Sequence, residues 1–271
     1  MSSMFPSDPF LAFRRRSMKA RLRDALAAGP ALPSPSDSRS PVILIGMHRS
    51  GTSLMSRVLD GAGIHMGGDV SEENHESKFF MLSNEVLMSM VGATWDQPRA
   101  IVDFLADEAT DGDSQVIDTL AHATDNWLTS RSAQPYWKGH AETGQRFGWK
   151  DPRTSLTWPV WHRRFPNAVW VVVQRDEADV VASLTKRTHQ KHDDGLWFSW
   201  RTLDSARCSE LHEEYLESIA RLRATVPVSA IFSIRYEELV ADPVAALRPL
   251  ADGGICEASR LQAAAALVRR K

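Results

Sequence analysis

The residues best equipped for chemistry in this chain stand side by side: Gly46-Met47-His48-Arg49-Ser50-Gly51-Thr52-Ser53. The run holds a guanidinium, an imidazole and three hydroxyls between and beyond two glycines. Glycine at 46 and 51 lets the backbone enter conformations that a Cβ penalises, so successive N–H groups can turn toward one point. A helix opening near Thr52 adds its free N–H groups and the positive end of its dipole. Thr52 and Ser53 contribute hydroxyl donors, and Arg49 a full positive charge. Such a set makes a cradle for an anion.

The flanking pattern supplies the elements that this cradle needs. Residues 42–45 (Val-Ile-Leu-Ile) form a continuous apolar run, the mark of a strand buried on both faces. Helical apolar spacing follows over 54–62, through Leu54, Met55, Val58, Leu59 and Ala62, and again over 79–91 and 112–130. Residues 169–173 read as a second buried strand with a helix behind it over 177–187. A long helix over 208–224 then precedes a third strand at 230–234. Strands separated by helices predict right-handed crossovers and a mostly parallel central sheet flanked by helices, an α/β three-layer sandwich. The folded unit spans 41–271. Residues 1–40, basic at Arg14, Arg15 and Arg16 and rich in Pro and Ser after Gly29, read as a flexible extension.

Composition narrows the chemistry further. The 271 residues carry 32 Lys and Arg against 34 Asp and Glu, a formal net charge of −2. No global excess of positive charge exists to attract nucleic acid, so any anion site is local. A hydrophobic fraction of 43% excludes a wholly disordered chain. Cys208 and Cys256 are the only cysteines, which excludes a disulfide scaffold. No apolar run approaches the ~20 residues of a membrane helix. Phe10, Leu11 and Phe13 precede the arginines, the reverse of a secretory signal, so a cytoplasmic location is expected.

The loop is similar to the Walker A pattern G-x-x-x-x-G-K-[ST], but Thr52 occupies the lysine position and the cation has moved to Arg49. A triphosphate site uses that lysine on the β- and γ-phosphates, with a hydroxyl on magnesium. The set found here suits one terminal phosphate and a transferable group beside it. In this form the segment resembles the 5′-phosphosulfate loop of sulfotransferases that use 3′-phosphoadenosine-5′-phosphosulfate (PAPS), and Arg49 through Ser53 resemble the bacterial and tyrosylprotein branches in particular. The resemblance implies a P-loop-like fold. It also implies that Gly46, His48, Arg49, Ser50, Gly51, Thr52 and Ser53 bind the donor.

Other patches extend the resemblance to about residue 250. The family places an arginine after a strand and a serine eight residues later for the donor's 3′-phosphate; Arg175 and Ser183 have that spacing. Arg175 would stand at a strand's carboxyl end, where open α/β sheets bind ligands. Residues 147–154 resemble a G-W-K-D-P-R stretch of a bacterial group, implying that Lys150 and Arg153 border the active site; Pro152 predicts that they project from a rigid loop. Residues 72–84 resemble another stretch of that group, with a carboxylate before two aromatics and a later asparagine. Tyr236, in a late Y-E-[DE]-L segment, would lie near the adenine.

The implied reaction is in-line transfer of a sulfuryl group from PAPS to an acceptor hydroxyl, with Arg49 stabilising the charge that develops. A carboxylate must take the acceptor proton. The tyrosylprotein branch has its glutamate 21 residues past the loop arginine, here Val70, so the neighbouring acids Asp69, Glu72, Glu73 and Glu76 are the candidates. Glu76 leads, with Glu73 next, and His48 and His65 are secondary. No metal is called for, and His189 with His192 is too sparse to hold one. The competing readings are a P-loop kinase or NTPase and a nucleotide-binding pseudoenzyme. The acceptor is a hydroxyl compound, whether carbohydrate, small molecule or protein, and the tryptophans near 149–161 read mainly as core.

Overall fold

A computed structural model describes residues 19–20, 22–24, 40–110, 114–140, 145–190 and 199–268. Most of the 1–40 extension, Trp197 and His192 lie outside the described residues. Within that set Leu22 is buried against the main core.

Four strands make one parallel sheet: β1 (Val42–Ile45), β2 (Gly148–Lys150), β3 (Val169–Gln174) and β4 (Ile231–Arg235), in the order β2-β1-β3-β4. Val42 pairs with Gly148 on one side and with Val169 on the other. Alternate residues face opposite ways, so Ile43, Ile45, Trp170 and Val172 enter one core while Val42, Leu44, Val169, Val171 and Val173 enter a second. Helices α2 (Lys78–Met88), α3 (Arg99–Thr110), α4 (Gln115–Leu128), α5 (Thr154–Arg164), α6 (Glu177–Gln190) and α7 (Ser205–Thr225) cover the first face. Helices α1 (Thr52–Gly61), α8 (Tyr236–Ala241), α9 (Pro243–Asp252) and α10 (Leu261–Ala266) cover the second. The expected three-layer α/β arrangement is therefore present.

Strand order sets the place of the site. From β1 the chain crosses to β2 on one side, then returns past β1 to β3 on the other. Helix α1 leaves β1 for the second face, and α6 leaves β3 for the first. The two connections part above neighbouring carboxyl ends and open a crevice there, the switch point at which doubly wound sheets take ligands.

One expectation needs correction. The 147–154 stretch is not a free rigid loop: it is a three-residue strand ending at Lys150, a turn through Asp151 and Pro152, and then helix α5. Strand β2 is too short and too polar to show as an apolar run. Helix α5 is buried on nearly every side and carries Pro159 inside it, so neither amphipathic period nor propensity marks it. Pro159 has no N–H for the carbonyl of Ser155, and Ser218 Oγ donates to that carbonyl instead at 2.7 Å. Trp149, Trp158 and Trp161 are core residues as read.

Candidate active site

The loop between β1 and α1 is fixed before any ligand arrives. Gly46 has φ +150°, and a Cβ there would stand 2.5 Å from the Val173 carbonyl oxygen. Its N–H donates to Ser155 Oγ at 3.1 Å. Ser50 turns inward too, its N–H and its hydroxyl both donating to the Met47 carbonyl, at 3.2 and 2.7 Å. Gly46 and Ser50 thus shape the loop and are not among the residues that line the crevice. Gly51, at φ +100°, has the Tyr236 ring where its Cβ would be, 2.3 Å away. Arg49 is itself left-handed at φ 71°, a strain that persists only where the surroundings impose it.

Beyond the loop lies a cavity of about 340 Å³. His48, Arg49, Gly51, Thr52, Ser53, Glu76, Lys150, Arg175, Ser183 and Tyr236, all singled out in the sequence, line it. Arg49 Nε donates to Ser183 Oγ at 3.0 Å, and Arg175 Nη1 to the Arg49 carbonyl at 3.3 Å. The Arg175 guanidinium lies 4.5 Å over the Tyr236 ring and pairs with Asp179. One face therefore joins the loop, the end of β3 and the start of α8.

Sequence reasoning passed over Arg57, Asn74 and Arg187, which also line the cavity. Arg57 and Arg187 lie one helical turn beyond Ser53 and Ser183, so the i, i+4 rule would have put them on the same faces. Five cations (Arg49, Arg57, Lys150, Arg175 and Arg187) then meet one acid, Glu76, around the crevice. Burial, with Arg187 and Arg175 nearby, lowers the Arg49 pKa from its ordinary value, against the pull of Glu73 and Tyr236. His48 packs against Trp95 with 4.7 Å between ring centres. Its burial, together with Arg153, Arg187, Lys150 and Arg49, holds its pKa well below 6.5, so the imidazole is neutral.

The acidic candidates separate clearly. Asp69 Oδ2 accepts from the Phe79 N–H at 2.7 Å and so holds the start of α2. Glu72 and Glu73 are exposed, their carbonyls accepting from Arg57 Nη2, and neither lines the cavity. Glu76 does line it, 5% exposed. Lys150 Nζ donates to Glu76 Oε1 at 2.8 Å, to the Asn74 carbonyl at 2.8 Å and to Ser53 Oγ at 3.2 Å. Burial pushes the Glu76 pKa up, but Lys150 and Arg153 outweigh it and the carboxyl lies below the ordinary value. Arg153 stands behind the wall, wholly buried against Asp151 and Glu85, and does not border the cavity as the resemblance implied.

Among the described residues no group of three or more His, Cys, Asp or Glu could hold a metal, and no helix is long and apolar enough to cross a membrane. Among solved structures, the sulfotransferase domain from the curacin biosynthetic pathway aligns at 16% identity over 83% of this chain and 77% of its own, with TM-score 0.47. Sulfotransferase STF1 from Mycobacterium tuberculosis H37Rv aligns at 14% identity over 93% and 75%, with TM-score 0.48. STF9 from Mycobacterium avium aligns at 16% over 92% and 71%, also at 0.48. A search of curated protein sequences returns no significant match. The model of the sulfotransferase family matches residues 41–253, from the residue before β1 to the one after α9. A match that takes in the loop, the sheet and most of the helices leaves no ambiguity of descent: the chain belongs to the sulfotransferase family.

Proposed function

We propose that this protein transfers a sulfuryl group from PAPS to a hydroxyl of an acceptor, by in-line displacement. Family membership supports sulfuryl transfer in general. The observation that carries the choice of donor is the ring of five cations and one acid beside the N-terminus of α1, a site for a ligand with several negative charges. The free N–H groups at Gly51, Thr52 and Ser53, with Arg49, would take the 5′-phosphosulfate. Arg175, Ser183 and Arg187 would take the 3′-phosphate, and Tyr236 the adenine side. The acceptor oxygen bonds to sulfur as sulfur parts from the bridging oxygen of the 5′-phosphate. The acceptor proton goes to Glu76, and 3′-phosphoadenosine-5′-phosphate (PAP) leaves. Arg49 stabilises the charge that grows on the bridging oxygen.

A triphosphate reading has less support. Asp151, which follows a strand as a magnesium ligand would, is closed off by Arg153 and Asn84, at 2.8 and 2.7 Å. Thermal unfolding with PAP or with ATP and Mg²⁺ tests the choice. Saturating PAP, at about 100 times its Kd, should add about 2.7 kcal/mol of stability, and ATP–Mg²⁺ little. Stabilisation by ATP–Mg²⁺ alone overturns the PAPS reading.

A further inference from the structure

Two stretches, 76–85 and 149–154, lock together behind the cavity, and beyond Glu76 and Lys150 the proposed transfer gives their residues no part. Phe80 stacks flat on Trp149 with ring centres 3.9 Å apart. Asn84 donates to Asp151 and Thr154 and accepts from Thr157 and Trp161, all within 2.8 Å. Arg153 of the second stretch lies against the first, with no exposed surface. Its Nε donates to Glu85 Oε1 at 2.6 Å and its Nη1 to Asp151 Oδ1 at 2.8 Å. The same Nη1 lies 3.9 Å from Glu76 Oε2.

Each oxygen of Glu76 therefore faces its own cation, Lys150 at Oε1 and Arg153 at Oε2, with Arg187 adding positive charge from α6. Asp151 and Glu85 hold Arg153 from its other sides. The contact is mutual: Arg153 favours the charged form of Glu76 as Glu76 favours that of Arg153, and Asp151 and Glu85 keep the guanidinium in place for it. We propose that Arg153 is a positioning residue for the proton acceptor: clamped by Asp151 and Glu85, it fixes Glu76 Oε2 and keeps the carboxylate charged in a nearly dry wall. Arg153 touches neither donor nor acceptor, and the inference rests on Glu76 taking the acceptor proton.

The test is titration by NMR with isotope-labelled glutamate carboxyl carbons, the Glu76 signal being the one lost in Glu76→Gln. In the wild type that signal stays at its ionised position through about pH 5, whereas in Arg153→Gln its midpoint rises by roughly one pH unit or more. PAP release from PAPS, with an alkyl-substituted phenol as acceptor (which keeps its proton at neutral pH), falls about tenfold or more in Arg153→Gln while KM for PAPS moves less than about twofold. Arg153→Lys, which keeps the cation, restores most of both. An unmoved Glu76 midpoint in Arg153→Gln overturns the proposal. Should that variant not fold, the Arg153 Nε–H signal is compared between wild type and Glu76→Gln: a shift supports the contact, and an unchanged signal overturns it. Wild-type PAP release by Glu76→Gln instead removes Glu76 as proton acceptor, whatever the titration shows.

Discussion

Arg49 is the residue on which the proposed chemistry concentrates, and the fold accepts strain to place it. A left-handed arginine costs about 1–3 kcal/mol relative to a relaxed backbone, and here its side chain is held on Ser183 and its carbonyl on Arg175. Replacing Arg49 with alanine should lower turnover by about 10²-fold or more, the usual result of removing a preorganised charge donor. Arg175→Ala acts differently. On the proposed reading it removes a charge-assisted contact to the donor, so PAP affinity should fall by about 1.5–3 kcal/mol, roughly 10–100-fold, with the acceptor KM little changed. Isothermal titration with PAP and steady-state kinetics separate the two cases; an equal loss of donor and acceptor binding would count against separate subsites. At this scale the sequence was informative where a motif had a mechanism. The loop could be read because glycines, cation and hydroxyls stood in order. Gly46 and Ser50 could not be told apart from the lining residues, because hydrogen bonds to Ser155 and Met47, invisible in a linear pattern, turn their donors inward.

Elements carry the next level of the account, above all the junction of α2, β2 and α5. Asn84 is buried and fully bonded there, so Asn84→Ala leaves Asp151, Thr154, Thr157 and Trp161 each short of a partner. The loss expected from stranding several buried polar groups is about 3 kcal/mol or more, read as a lower urea midpoint with little change in slope. A loss under about 0.5 kcal/mol, the range of ordinary surface substitutions, would show that the network is dispensable. This junction was only half legible. The motif residues stood out, but strand β2 is three residues long and α5 contains Pro159, so neither announces itself by period. Serine 218, more than fifty positions away, is what makes that proline tolerable. Strands β1 and β3 followed from continuous apolar runs, because the sheet is covered on both faces, and β4 and helices α1, α2, α4, α6 and α7 from their apolar pattern.

Across the whole molecule the same positive field that fits the cavity for an anion makes the fold sensitive to acid. Burial lowers the pKa values of His48, His75, His162 and His212, and cations add to the effect at His48 and His75. The unfolded chain takes up protons on these rings near 6.5 while the folded chain refuses them, so stability is fully present above that pH and is lost as pH falls below it. Glu76, held below its ordinary value, adds a loss of the same sign at lower pH. Melting temperature should therefore decline between about pH 7 and pH 5, and less steeply in His48→Phe, which keeps the packing on Trp95. A slope identical to wild type in that variant would contradict the assignment of a neutral His48.

In the proposed reading the fold supplies the crevice, the cations supply the affinity, and the strained loop supplies the charge at the point of transfer. Sulfur-radiolabelled PAPS incubated with the protein and an extract of its source cells tests the three together. The account predicts that label moves to an acceptor in the extract with wild-type protein and stays on the nucleotide with Arg49→Ala. Label that remains on PAPS with the folded wild-type protein, or a phosphoryl label that moves instead from ATP, would contradict it.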